Sequence, residues 1–294
     1  MGPEGLRTRF KAARSNANGL TRVEVLTVGR ELLIGRTLNT NAHWVGKRLA
    51  MMGSMISIIA TVDDDLDEIS RALVTSLSRG PGFVVVIGGL GPTHDDMTLR
   101  GVAMGLKREM RLNRGALELM KEHYSRSGLP DILITPARRK MSVFPEGGTP
   151  LRNEIGTAPG VRLRCGKTVV FCLPGVPAEM RSIFAQSIEP EIRKSLGTLH
   201  RETIRLQVEG MLESVIAPII GRQAKRVPSV YVKSHPGGIR KGISRIEVDV
   251  SVVKESERDA TSKAEEVADA IASEVRAAGA SVLTRRFGKA RKGR

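Results

Sequence analysis

The sequence predicts an α/β domain with a mostly parallel sheet, followed by a small α+β unit. Three observations carry this expectation. Apolar strands alternate with amphipathic helices from residue 22 onward, which implies parallel strands joined by right-handed crossovers. The strand GFVVVI (82–87) is apolar throughout, so it is expected to be covered on both faces. After about residue 198 the pattern restarts in the order β-α-β-β-α-β, that of a split-βαβ, ferredoxin-like unit.

Each element has its own signal. RVEVLTVG (22–29) is a strand; NTNAHWVGKRLAMMG (39–53) is a helix with Val45, Leu49 and Met52 on one face, capped by Asn or Thr and ended by Gly53. MISIIATV (55–62) is a strand, and DDDLDEISRALVTSL opens a helix with Leu66, Ile69, Leu73 and Leu77 in phase. DMTLRGVAMGL follows the third strand as a helix built on Leu99, Val102, Ala103 and Leu106, with Asp95 or Asp96 available as its cap. Helical stretches near 113–127 and 135–142 come next, and VRLRCGKTVVFCLPG is a hairpin turning on Gly166-Lys167. That register sets Cys172 opposite Val161 rather than Cys165, so two reduced, buried thiols are expected. A helix begins near Pro177. In the second unit, strands at 203–209, 229–234, 244–253 and 281–284 frame helices at 211–221 and 256–278, and KSHPGG (233–238) is expected to be a turn. The expected organisation is a basic tail (1–21), a first domain (22–198), a second unit (199–284) and a basic tail (285–294).

The 294 residues are 40% hydrophobic, enough for a substantial core. No stretch has the apolar length of a membrane span and no leader opens the chain, so the expectation is a cytoplasmic protein with no membrane partner. The net charge of +16 suggests nucleic acid, but residues 1–22 and 285–294 hold ten of those charges. Such tails favour only weak, salt-sensitive nucleic-acid contact, and 3% aromatic content offers few stacking platforms.

In an open parallel sheet, ligands bind outside the carboxyl ends of the strands. Those ends carry VGRELLIGRTLNTNA, VDDD, GGLGPTHDD and LPGVPAEM, which gathers the unusual residues of the domain on one edge. Gly88, Gly89 and Gly91 let backbone N–H groups approach a phosphate, and the following helix points its positive end there. One aspartate of the Asp95–Asp96 pair is explained as a cap. A second, beside an anion, is comfortable when a cation lies between them, as Mg²⁺ does at diphosphates. Asp63, Asp64 and Asp65 supply a cap and a solvated helix start, leaving one facing the crevice. Glu179 either complements its helix dipole or serves as a second metal ligand. His94 is expected to be a solvent-exposed loop residue. Thr37, Asn39, Thr40 and Asn41 offer more polar groups than one helix cap requires.

Taken in chain order, NTNAHW (39–44), GGLGPTHDDMT (88–98), NEIGTAPG (153–160) and LPGVPAEM (173–180) resemble the molybdopterin-binding domain of MoaB, MogA and gephyrin-type proteins. The form is that found at the N-terminus of CinA (competence/damage-inducible) proteins, which also carry a small α+β subdomain. The resemblance implies a three-layer α/β/α domain, a homo-oligomer (dimer or trimer), and a site for a pterin or nucleotide phosphate. It assigns ligand contacts to Gly88, Gly89, Gly91, Thr93, Arg30, Asn39, Asn41, Gly156, Thr157, Pro174 and Gly175. It sets an essential aspartate at Asp96 and a second at Asp63 or Asp64. Cofactor-biosynthesis members bind molybdopterin and adenylylate it with Mg-ATP, whereas CinA-type members are linked to metal-dependent hydrolysis of ADP-ribose-like diphosphates. Two departures matter. GRELL stands where the family has GDELL or GNELL, so Arg30 replaces a small polar or acidic residue. The sequence stops before the deamidase domain of longer CinA proteins, so deamidation is not expected.

The leading expectation is thus a pyrophosphatase using Mg²⁺ or another divalent cation held by Asp95, Asp96 and Glu179, with phosphate on Gly88–Gly91 and Thr93. Molybdopterin binding or adenylylation is the second. A noncatalytic ligand- or nucleic-acid-binding protein is the third.

Overall fold

The structure is a computed structural model that describes residues 21–129, 131–197, 199–227, 230–240 and 242–286. Both basic tails lie largely outside these residues. The chain divides into two compact units, one of the described residues up to Ala50 with Ser54–Leu196, the other of Met51–Gly53 with the residues from Gly197 on.

In the first unit β1 (Val23–Val28), β2 (Ile56–Val62) and β3 (Phe83–Ile87) run parallel, with β1 between the other two. The helices α1 (Arg30–Leu33), α2 (Thr40–Met51), α3 (Leu66–Ser78) and α4 (Thr98–Leu106) connect them or follow them. A two-stranded sheet of β4 (Met110–Leu112) and β5 (Val143–Pro145) encloses α5 (Arg114–Arg126) and α6 (Pro136–Lys140). Then come β6 (Thr149–Leu151), β7 (Gly160–Cys165), β8 (Thr168–Leu173) and α7 (Pro177–Ile183), which runs through a π-helical turn (Phe184–Ile188) into α8 (Glu189–Leu196). The sheet order is β2-β1-β3-β8-β7-β6, parallel through β8 and antiparallel beyond.

Residue alternation places Leu26, Val28, Val84, Val86, Val170 and Cys172 on one face, in a core with Ile69 and Leu73 of α3, Val102 of α4 and Met120 of α5. On the other face Asn39 reaches Thr27 from the start of α2, and Trp44 of α2 meets Phe184 edge to face, with ring centroids 5.5 Å apart. Helices on both faces explain why β1, β3 and β8 are buried along their whole length. The hairpin keeps its expected register, with Cys165 opposite Thr168 and Cys172 opposite Val161. Both thiols are free; Cys172 is fully buried, its pKa pushed well above the usual thiol value by desolvation, while Cys165 is only half-buried.

The second unit contains β9 (His200–Glu209), α9 (Glu213–Arg226), β10 (Val230–Arg240), β11 (Ile243–Lys254), α10 (Glu257–Ala277) and β12 (Ser281–Arg286). Its antiparallel sheet has the order β10-β11-β9-β12, the ferredoxin-like arrangement. Leu206, Val248 and Val250 pack there against Ile216 of α9 and Ile271 of α10. One expectation fails: KSHPGG is not a turn. It lies inside β10, where the pairing slips between Pro236 and Ile239, and the chain reverses after Arg240. A proline and two glycines weaken the ladder without ending the strand, as a bulge does. No helix among the described residues is long and apolar enough to cross a membrane.

A buried charge ties α3 to the sheet. Glu24 of β1 has 1% of its side chain exposed and accepts from Ser76 Oγ at 2.6 Å and from the Arg79 guanidinium at 2.5–3.2 Å. Removing one partner of such a pair strands a carboxylate in the core. Arg79→Met is therefore expected to lower the unfolding free energy by about 3 kcal/mol in urea denaturation, and the double variant Glu24→Met/Arg79→Met to recover most of that loss.

Candidate functional site

The site forms where β1, β3 and β8 end together. Gly88 takes φ +113°, and its N–H donates to the Leu173 carbonyl at 2.9 Å. A Cβ there would lie 2.2 Å from the Val28 carbonyl oxygen, so only glycine lets the chain pass over β1. Gly89, at φ +61°, leaves its Cβ space to the Thr98 hydroxyl, which is buried and without a hydrogen-bond partner. Gly91 abuts the Asp96 carboxylate, which would stand 2.6 Å from an added Cβ.

Neither Asp95 nor Asp96 caps α4, which starts after Met97 with no side-chain cap bond. Asp96 instead turns back into its own loop and accepts from the Thr93 N–H at 2.9 Å and the Thr93 hydroxyl at 2.5 Å. Asp95 accepts from the same hydroxyl, and that bond holds its carboxyl below the usual carboxylate range. Local side-chain bonding has outcompeted the cap. Thr93 is accordingly spent on carboxylates instead of facing a cavity. His94 is exposed, as expected.

Two cavities meet at the glycine turn and share Gly89, Leu90, Gly91, Asp96 and Met141. The first, about 560 Å³, is apolar at Leu99, Met110 and Ile134 and cationic at Arg100, Arg139 and Lys140. The second, about 520 Å³, brings in Thr157, Pro174, Gly175 and Glu179 with Tyr124 and Arg138. Arg138 lies over the Tyr124 ring at 5.5 Å. A third, smaller cavity holds Gly88, Asn39 and Asn41. Gly156 lines none of these three. It lies beneath Glu179, whose carboxylate would meet a Cβ there at 2.2 Å. Asn153, which is buried, fixes that loop by donating to Glu179 Oε2 at 2.6 Å and to the Ala158 carbonyl at 2.9 Å, and by accepting from the Gly156 N–H.

The three carboxylates expected to share a metal are not gathered into one cluster. Among the described residues no group of three or more His, Cys, Asp or Glu side chains is placed to hold an ion. Asp96 and Glu179 face one cavity, while Asp95 is exposed on the loop. Arg30 is also engaged. Its guanidinium makes a bidentate pair with Asp63 at 2.7–3.1 Å, and its backbone N–H donates to Asp64 at 2.9 Å. The Arg30 hydrogen bond holds the Asp63 carboxyl below the usual range. Burial, followed by the charges of Glu31, Asp63 and Asp95, raises that of Asp64, against the Arg30 N–H. Asp65 is the helix cap, accepting from the N–H groups of Asp67 and Glu68. Asn39 caps α2 through the Ala42 N–H at 3.1 Å and donates to Thr27, which occupies both ends of its amide.

Lys140 was not foreseen from the sequence. Its ammonium donates to the Thr93 carbonyl, and burial pulls its pKa down against the charges of Asp96 and Asp95. The signal was the run PARRK (136–140), whose cations fall on a short helix and resemble a solvated surface.

The family model described as "Probable molybdopterin binding domain" matches residues 24–194. The chain belongs to this family. A protein of Metallosphaera sedula is 41% identical over 228 residues, 78% of this chain and 84% of the relative. A protein of Thermoplasma volcanium is 41% identical over 248 residues, 84% and 92%. Among solved structures, CinA of unknown function from Thermoplasma acidophilum is 40% identical, with a TM-score of 0.53, over 58% of this chain and 98% of that one. These likenesses make the chain a CinA-type member of the molybdopterin-binding family that includes MoaB and MogA.

Two outcomes follow from the geometry. Gly88→Ala is expected to destabilise the first unit by about 3 kcal/mol, measured by chemical denaturation, because it adds both a clash and a strained φ. Arg30→Ala is expected to let the Asp63 carboxyl titrate back up toward the usual carboxylate range, followed by carboxyl-carbon NMR; an unmoved midpoint would show that the pair does not form.

Proposed function

We propose that the chain hydrolyses the diphosphate of an ADP-ribose-like nucleotide with the help of a divalent cation. The observation that supports this most is the composition of the paired cavities. Glycine-turn backbone and Asp96 lie at their junction, with Arg100, Arg139 and Lys140 on one side and Glu179 and Arg138 on the other. Such cations draw and orient an anionic ligand, and the guanidinium groups suit bidentate contact with phosphate oxygens. The apolar wall of Leu90, Leu99, Met110 and Met141 lowers the local dielectric, which strengthens each of those attractions.

The donor set fits a divalent cation completed by its substrate. Magnesium is bound through one or two carboxylates together with substrate phosphates, and Asp96 and Glu179 are two hard oxygen donors on one cavity. These two residues would hold it. When bound, the cation supplies neutralisation of charge on the diphosphate oxygens. The chain does the rest: Thr93 and Asn153 orient the two carboxylates, and Lys140 fixes the loop carrying Asp96.

The family match favours a second reading, a pterin diphosphate as ligand, because the apolar 560 Å³ compartment also accommodates a flat bicyclic ring. Thermal-shift titration separates the two, since the true ligand raises Tm more at equal concentration. For the hydrolase, Asp96→Asn is expected to lower kcat on ADP-ribose with Mg²⁺ on the order of 100-fold, and Lys140→Met to raise KM about tenfold. Full turnover in Asp96→Asn would overturn the proposal. Duplex binding through the basic tails without turnover of any nucleotide would favour a noncatalytic role.

A further inference from the structure

The third cavity differs from the other two in size and in chemical character. It measures about 110 Å³ and is lined by Thr27, Glu31, Thr37, Asn41, Gly88 and Gly175 among others. An enclosed apolar cavity of about 150 Å³ binds a benzene ring, so this one is small for a purine or a pterin. Its charged side chain is a carboxylate, that of Glu31, in contrast to the cationic walls beside Asp96.

Asn41 reinforces that polarity. Its amide nitrogen donates to the Gly175 carbonyl at 2.8 Å, which fixes the orientation of the amide. Its oxygen is buried and has no hydrogen-bond partner. A buried unpaired acceptor costs on the order of 1–3 kcal/mol until a donor meets it. Two acceptors, one of them charged, therefore border a space smaller than a purine or a pterin needs. Phosphate, an anion made chiefly of acceptors, is the wrong ligand beside a carboxylate and an unpaired amide oxygen. A vicinal pair of hydroxyl groups is the right one, as where an acidic residue binds a ribose in dinucleotide-binding folds.

The position supplies the remaining constraint. Gly88 lies in this cavity's wall and Gly89 in the walls of the other two, while Gly175 is common to the third cavity and the second. The cavities thus adjoin along Gly88, Gly89 and Gly175, as a ribose adjoins its own 5′-phosphate. We infer that the cavity behind Gly88 is a ribose subsite, in which Glu31 and Asn41 Oδ1 accept from the cis-diol of the nucleotide whose phosphates occupy the turn. The inference rests on the phosphate reading above. It gives the ligand contact expected of Asn41 to the sugar, and it makes Glu31 a determinant of specificity for ribonucleotides.

Isothermal titration calorimetry on the full chain with Mg²⁺ tests this using ADP, 2′,3′-dideoxy-ADP and inorganic pyrophosphate. ADP is expected to bind about tenfold more tightly than the dideoxy analogue, because a site built around hydroxyl donors is left unpaired without them. Glu31→Ala, a change at an exposed side chain, is expected to remove most of that discrimination and leave pyrophosphate binding unchanged. Equal affinity for ADP and the dideoxy analogue, with pyrophosphate still bound, would overturn the ribose subsite alone. Discrimination undiminished in Glu31→Ala would overturn its placement in this cavity. Failure of both ADP and pyrophosphate to bind would overturn the phosphate reading and the subsite with it.

Discussion

The missing side chain at Gly88 is the constraint on which the site depends. Strand β3 ends between the carboxyl ends of β1 and β8, with Ile87 in register with Thr27 on one side and Leu173 on the other. For the chain to leave that slot, its backbone must pass within a Cβ's reach of the Val28 carbonyl while donating to Leu173. Glycine alone permits both. Everything downstream inherits the resulting position: Gly89 admits the Thr98 hydroxyl, Gly91 admits the Asp96 carboxylate, and the three cavities share this turn as a wall. A packing requirement at one backbone atom thus sets the geometry of a chemical site.

That turn also shows how carboxylates and an anion-binding backbone can coexist. Asp96 does not confront the cavity as a bare charge, because the Thr93 N–H and hydroxyl both donate to it. Lys140 then anchors the Thr93 carbonyl from α6 and adds a cation to the same wall. The loop is a small local network of Thr93 with Asp95 and Asp96, tied to α6 by Lys140. Such networks are stiff when complete, which suits a site that must hold charges at fixed separations.

How much of this was legible follows from the range of each interaction. The α/β order, the second unit's topology and the hairpin register were all readable, because periodicity and a two-residue turn act over a few residues. Cys172 opposite Val161 is the sharpest case. The clustering of Gly89, Gly91, Asp96, Pro174, Gly175 and Glu179 was readable too, since strand ends in a parallel sheet share an edge, whereas Thr157 came only from the family resemblance. The cap of α4 was misread because two local uses of an aspartate compete, and sequence does not say which wins. Lys140 and the Arg30–Asp63 pair were missed or misassigned for another reason. Their partners lie 47 and 33 residues away, and only the folded sheet brings them together.

The glycine turn separates two environments of opposite hydrogen-bonding sense. On the α4 and α6 side the charged side chains of a mainly apolar cavity are three cations and Asp96, the cations suited to phosphate oxygens. On the side of the loop after β1 the charged group is the Glu31 carboxylate and the unpaired one is the Asn41 amide oxygen, both acceptors suited to hydroxyl groups. A ligand that satisfies both carries anionic oxygens and neutral hydroxyl donors on adjoining groups, as a sugar phosphate does. Arg30, at the start of α1, would blur that division if its guanidinium were free to enter the acceptor side. Its bidentate pair with Asp63 turns it toward β2 and consumes its charge. The arginine at this position is therefore neutralised by Asp63 and adds no unpaired cation to the edge that carries Glu31 and Asn41.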